Sequence, residues 1–335
     1  MRLRVIKVGC FGGGTGLPSV LGGLKRNPWV DLNAIVTMFD SGGSSGQLRD
    51  ELGVLPPGDI LKCALTLARN EREARRVLLS RLPTLEDSRL AGHTGGNLLL
   101  SMMEQYSGNF MAALEGLRSL LGCQGHVWPV SIDRASLCAR YADGHVTKGE
   151  NQIDARQTDG HVIEAIWLEP EVSIHGRVAA AVQNLDAVVI GPGSFYTSLL
   201  PVLAVQGMAE ALASIPGPIV LVANLLTEGR GMDGFTAADE VSRIESFIKR
   251  RVDAVVFNEG RPSADAIARY AAEHKHPLEL GMLPEHCRLV SGTFWRRDIA
   301  RHERPRLGHA LWAVLAGALC AKHPTDLADP ATAHG

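Results

Sequence analysis

The run Arg4-Val5-Ile6-Lys7-Val8, followed shortly by Gly12-Gly13-Gly14-Thr15-Gly16-Leu17-Pro18, decides the fold. The β-branched run reads as a strand, the glycines as a tight turn, and the apolar spacing after Pro18 as a helix. Strand, glycine turn and helix in that order open a parallel α/β sheet. Glycine lets backbone N–H groups approach an anion closely, and a helix N-terminus favours negative charge. Gly12, Gly13, Gly14, Thr15 and Gly16 are therefore candidate phosphate contacts. Their spacing matches neither the G-x-G-x-x-G fingerprint nor the P-loop, because no Lys-Ser/Thr closes it. Taken alone, a turn that merely needs glycine fits this stretch equally well.

A second cluster shifts the balance. Asn33-Ala34-Ile35-Val36-Thr37-Met38-Phe39 reads as a buried strand ending in Asp40-Ser41-Gly42-Gly43-Ser44-Ser45-Gly46. In an open parallel sheet ligands sit outside the carboxyl ends of the strands, where these two glycine-rich ends would lie side by side. Gly43 and Ser44 then join the donors, and Asp40 adds a carboxylate. Asp59, in Leu55-Pro56-Pro57-Gly58-Asp59-Ile60, stands near a helix start. It is either a helix cap or, with Asp40, a ligand for a divalent cation such as Mg²⁺. Asp40 and Asp59 are thus the candidate metal ligands and catalytic acids.

Two further glycine turns follow the same pattern. Gly92-His93-Thr94-Gly95-Gly96-Asn97 precedes an apolar helix, which adds His93, Gly96 and Asn97 as candidates, although a lone loop histidine is more often solvated or structural. The wholly apolar Ala187-Val188-Val189-Ile190 ends in Gly191-Pro192-Gly193-Ser194, which adds Gly191, Gly193 and Ser194. Asn224 closes the apolar strand Ile219–Ala223; it faces a ligand or simply ends its strand.

Composition bounds the function. With 335 residues, 45% hydrophobic and 21% charged, the chain is an ordinary globular protein. A net charge of −2 supplies no general attraction to nucleic acid or anionic lipid, so nucleic acid is not an expected partner. The six cysteines form no C-x-x-C pair, which argues against zinc and against a disulfide framework and suits a reducing cytoplasm. No apolar run approaches the ~20 residues that span a bilayer. One α/β domain is expected over residues 1–322, with a β-rich insertion at about 124–175 that includes His126–Val130, Leu137–Tyr141 and an Asp143-Gly144 hairpin turn. A disordered Pro- and Ala-rich tail is expected at 323–335.

Together, the turns at Gly12–Pro18, Asp40–Gly46, Leu55–Ile60, Gly92–Leu98 and Gly191–Ser198 resemble the CofD-like superfamily, and most closely its YvcK branch. The resemblance implies a Rossmann-like, three-layer α/β fold with an added subdomain, a nucleotide site across the strand ends, and a homodimer. In the CofD branch it implies transfer of a phospholactyl group from a nucleoside diphosphate-type donor to a deazaflavin with Mg²⁺. In the YvcK branch it implies UDP-sugar binding, such as UDP-N-acetylglucosamine, with a role in carbon metabolism or cell-wall regulation. By motif, Asp40 and Asp59 match the metal-holding acids, and Tyr270 and Arg301 match positions linked to the UDP-sugar. Two departures stand out. The branch usually has two adjacent aspartates where this chain has Asp40-Ser41, and its Gly-Glu-Thr is replaced within Thr227-Glu228-Gly229-Arg230-Gly231-Met232-Asp233-Gly234. Arg230 is either a partner for a ligand anion or a solvated loop charge.

Overall fold

The computed structural model describes residues 4–39, 55, 58–83, 92–297 and 299–321. Among them, seven parallel strands form one sheet in the order β10-β9-β8-β7-β1-β2-β3. These are β1 (Ile6–Gly12), β2 (Val30–Val36), β3 (His126–Pro129), β7 (Ala187–Ile190), β8 (Ile219–Val222), β9 (Ala254–Asn258) and β10 (Arg288–Gly292). The central strands are apolar on both faces because helices cover both: every residue of Ala187–Ile190 and Ile219–Val222 is buried. Burying each of their Val, Ile and Leu side chains stabilises by about 1.5–3 kcal/mol.

The strand order positions the site. The chain runs outward from β1 through β2 to β3, then returns to the other side of β1 and runs outward again through β7, β8, β9 and β10. The reversal lies between β1 and β7, and their carboxyl ends carry the Gly12–Gly16 and Gly191–Ser194 turns. That is where an open α/β sheet forms a ligand crevice.

The β-rich insertion is smaller than its sequence reading. His126–Pro129 pairs in parallel with β2 and is the edge of the main sheet, so it does not belong to the insertion. Short strands with alternating patterns look alike in sequence, and only pairing separates an edge strand from a hairpin. The separate antiparallel sheet comprises β4 (Ser136–Tyr141), β5 (Val146–Lys148) and β6 (Ile163–Glu169), with the Asp143-Gly144 turn between β4 and β5 and Gly144 at φ +80°. The large apolar side chains of the run Leu199–Leu212 lie in the core. The tail at 323–335 lies outside the described residues.

The last strand pair, β11 (Trp295–Arg296) and β12 (Ile299–His302), leads into the helix Arg304–Ala321. That helix crosses the first helix, Leu17–Leu24, with backbone against backbone. A Cβ on Gly308 would lie 2.2 Å from the Gly23 carbonyl oxygen, and one on Gly23 would lie 2.6 Å from the Arg304 carbonyl oxygen. This glycine-to-glycine contact brings Ala300–Arg304 over the first glycine turn.

Candidate functional site

Two cavities meet above the reversal point. The smaller, about 280 Å³, is lined by Thr15 and Gly16 of the first turn, Gly193 and Ser194 of the second, Asn224, Glu228, Tyr270 and Arg301. The larger, about 570 Å³, lies beyond Thr15 and Arg301 and is bounded by Arg75, Arg296 and Arg304. Thr15, Ser19, Arg301 and His302 line both.

The glycines allow the two turns to touch. A Cβ on Gly16 would lie 2.2 Å from the Pro192 carbonyl oxygen, and one on Gly13 would meet the Thr37 methyl at 2.4 Å and the Asp59 carboxylate at 2.6 Å. Gly14 and Gly191 sit at φ +62° and +76°, where a side chain is strained.

Several of the expected phosphate donors are already engaged. The Gly14 N–H donates to Asp59 Oδ2 at 2.5 Å, and Lys62 Nζ donates to Asp59 Oδ1 at 2.8 Å. The Gly193 N–H donates to Asn224 Oδ1 at 3.1 Å, while Asn224 Nδ2 returns a bond to the Gly193 carbonyl at 2.9 Å. The Phe195 N–H and the Ser194 hydroxyl donate to Glu228 Oε2 at 3.0 and 3.1 Å. Two carboxylates from distant segments therefore occupy positions that sequence alone offers to an anion. Asn224 is a clamp on the second turn as well as a residue of the cavity wall.

The same contacts bear on a metal. Both oxygens of Asp59 accept hydrogen bonds, and no group of three His, Cys, Asp or Glu side chains among the described residues is placed to hold a cation. Asp59 is the described member of the Asp40–Asp59 pair, and its carboxylate is committed to the Gly14 N–H and to Lys62. Asp40, Gly43 and Ser44 lie outside the described residues.

The third glycine turn builds a helix. Thr94 caps Gly95–Ser107 by accepting from the Asn97 N–H at 3.2 Å. A Cβ on Gly96 would lie 2.5 Å from the Leu61 side chain, so this glycine serves packing against the helix Gly58–Leu67. His93 and Asn97 are buried, and none of His93, Gly96 and Asn97 lines either cavity.

Tyr270 and Arg301, far apart in sequence, come together. The Tyr270 hydroxyl accepts from the Ala300 N–H at 2.8 Å, and its ring meets Trp295 edge to face at 6.3 Å. Tyr270 thus orients the strand that carries Arg301. Tyr270→Phe removes that acceptor; the expected result is a loss of about 1 kcal/mol of stability in urea unfolding and weaker ligand binding from a loosened Ala300–His302.

Glu228, Lys275 and His302 line the smaller cavity and were not singled out as site residues from sequence. Burial raises the Glu228 carboxyl to about 7, against the lowering effect of the Phe195 N–H and the Ser194 hydroxyl. Burial lowers His302 to about 4, so its imidazole is neutral at pH 7. Its Nε2 is buried without a hydrogen-bond partner among the described residues. Burial also drives Glu240, under Asn224, well above the usual carboxylate range. Arg230 lines neither cavity and meets His274 Nε2 at 2.9 Å in an exposed contact, which fits the loop-charge alternative. Gly229 and Gly231 let this segment dock on the helix Glu150–Thr158, since a Cβ on Gly229 would lie 2.6 Å from Thr158 Cα.

These features agree with comparisons to known proteins. The chain is 33% identical over 311 residues to a gluconeogenesis factor of Halalkalibacterium halodurans, covering 90% of this chain and 94% of that protein. A Nostoc sp. relative, described as a candidate gluconeogenesis factor, is 36% identical over 276 residues, or 82% of this chain; the match spans only 59% of that relative's length. A crystal structure of a UPF0052 family member from Bacillus halodurans superposes with a TM-score of 0.84 at 33% identity, over 93% of this chain and 99% of that one. Residues 8–295 match the family model described as 2-phospho-L-lactate transferase CofD. With the reversal-point crevice, the paired glycine turns and these matches in hand, the chain belongs to the CofD family, in its gluconeogenesis-factor branch.

Proposed function

We propose that this protein binds a UDP-sugar, such as UDP-N-acetylglucosamine, in the crevice between the two glycine turns and Tyr270–Arg301. On this reading it is a sensor whose occupancy regulates carbon metabolism or cell-wall synthesis, acting in the cytoplasm as a homodimer. One observation carries the reading. Tyr270 and Arg301, from separate elements, line the same cavity as Thr15, Gly16, Gly193 and Ser194 at the topological reversal. Neighbouring groups supply both polarities that a sugar and a phosphate need: Glu228 and Asn224 accept, and Lys275 and Arg301 carry positive charge. No helix among the described residues is long and apolar enough to cross a membrane.

Calorimetric titration with UDP-N-acetylglucosamine, UDP-glucose, GDP and GTP, with and without Mg²⁺, tests the reading. Selective, metal-independent binding of a UDP-sugar without turnover is the expected result. Binding only of guanine nucleotides, and only with Mg²⁺, would replace it with the Mg²⁺-dependent transferase reading, in which a phosphorus-linked group leaves a nucleotide donor.

Asp59→Asn separates the two readings independently. An Asn oxygen still accepts the Gly14 N–H, while the Lys62 ion pair is lost. Expected are a stability loss of about 1 kcal/mol and UDP-sugar affinity within about threefold of wild type. A metal-holding aspartate would instead give loss of Mg²⁺-dependent turnover.

A further inference from the structure

The larger cavity has an unusual charge balance. Five cationic side chains line it, namely Lys62, Arg75, Arg296, Arg301 and Arg304. Lys62 is paired with Asp59 at 2.8 Å, and Arg304 with Glu71 at 2.8 Å. Glu71 also accepts from Lys25 at 2.7 Å; although burial raises its carboxyl, these two cations hold it below the usual range. Glu303, the other carboxylate on the wall, accepts from the Arg306 N–H at 3.1 Å at the start of the last helix. Among the described residues, that leaves Arg75, Arg296 and Arg301 without a hydrogen-bonded or ion-paired partner.

These three guanidiniums come from the helix Glu71–Leu78, β11 and β12, and they converge on one concave space of about 570 Å³. Like charges gathered in a low-dielectric cleft focus a positive potential, and the guanidinium fork matches phosphate oxygens bidentately. The adjoining smaller cavity adds a carboxylate to its two cations, Lys275 and Arg301. There Glu228 caps the Ser194 and Phe195 donors, which turns that wall towards a hydroxyl donor from the ligand.

We propose that the larger cavity is a polyphosphate subsite in which Arg75, Arg296 and Arg301 clamp a diphosphate or longer phosphoanhydride, while the Glu228 side of the crevice takes the hydroxyl-bearing part of the same ligand. The identity of that ligand rests on the UDP-sugar reading; the anion subsite does not. The glycine turns then shape the crevice, and the arginines hold the phosphates.

The test titrates inorganic pyrophosphate and UDP-N-acetylglucosamine into the full chain by calorimetry, for wild type, Arg75→Gln, Arg296→Gln and Arg72→Gln. Arg72 lies on the same helix as Arg75 but outside the cavity, so it reports the effect of removing one charge. Expected is pyrophosphate binding by wild type, weakened about ten- to a hundredfold by each cavity variant and unchanged in Arg72→Gln. UDP-N-acetylglucosamine binding falls in parallel. Absence of pyrophosphate binding, or equal effects of all three variants, overturns the subsite. Pyrophosphate binding with the expected variant pattern but no UDP-sugar binding supports the subsite and overturns the UDP-sugar reading. UDP-sugar binding that is intact in both cavity variants supports that reading and overturns the placing of its diphosphate between these arginines.

Discussion

Gly16→Ala is expected to lose about 1–3 kcal/mol of stability and most of the ligand affinity. The added Cβ would stand 2.2 Å from the Pro192 carbonyl oxygen and 2.9 Å from the Gly193 nitrogen, which are backbone atoms. A flexible side chain would move aside cheaply; a backbone carbonyl moves only with its turn. The turn at Pro192 is itself clamped by Asn224 through two hydrogen bonds with Gly193. Relief therefore means prying apart the two turns that form the crevice. Gly176→Ala is the matched comparison, since its Cβ meets nothing within 4 Å and it sits at the start of a helix. That variant is expected to match or slightly exceed wild-type stability. Urea unfolding and UDP-sugar titration of the pair check both halves. Equal behaviour would mean that the turns do not depend on their close approach.

The second large effect is a pH dependence at His302. Its imidazole lies near 4 in the folded protein because of burial, against about 6.5 when unfolded. Between those values the unfolded chain binds the proton and the folded protein does not, so stability falls as pH falls from about 6.5 towards 4. The full contribution is about 3 kcal/mol, present above the unfolded value and lost below the folded one. Glu228 and Glu240 act in the opposite direction, because burial raises both carboxyls and their protonation on acidification favours the folded state. The wild-type curve alone therefore mixes opposing slopes. The difference between wild type and His302→Gln isolates the imidazole: the variant's stability relative to wild type should rise by about 3 kcal/mol from pH 7 to pH 4 in urea unfolding. A difference that stays flat over this range would mean that His302 is protonated as readily in the folded protein as in the unfolded one.

Much of the architecture is legible locally. The apolar runs Ala187–Ile190 and Ile219–Val222 can be recognised as doubly covered strands because neither alternates, and the structure places both at the centre of the sheet. The glycine turns at Gly12–Gly16 and Gly191–Ser194 stand out because left-handed backbone and close approach favour glycine wherever they occur. His126–Pro129 was not assignable in this way. Four residues of a half-alternating pattern suit a hairpin or a sheet edge equally, and only pairing with β2 distinguishes them.

The site divides along the same line. Tyr270 and Arg301 can be named from family resemblance, but their shared wall depends on the Tyr270 hydroxyl meeting the Ala300 N–H and on Gly23 admitting the last helix. Which donors stay open to a ligand is less legible still. Asp59 reaches Gly14 across 45 positions and Glu228 reaches Phe195 across 33, so the acceptor at each turn comes from a segment with no local signal of that role. Conversely, Arg75 and Arg296 read as ordinary surface charges until folding gathers them around one cavity and commits the nearby carboxylates elsewhere. Propensity and periodicity act over a few residues and specify strands, turns and helices. Hydrogen-bond satisfaction and charge pairing act through space, and they are settled only when distant segments meet.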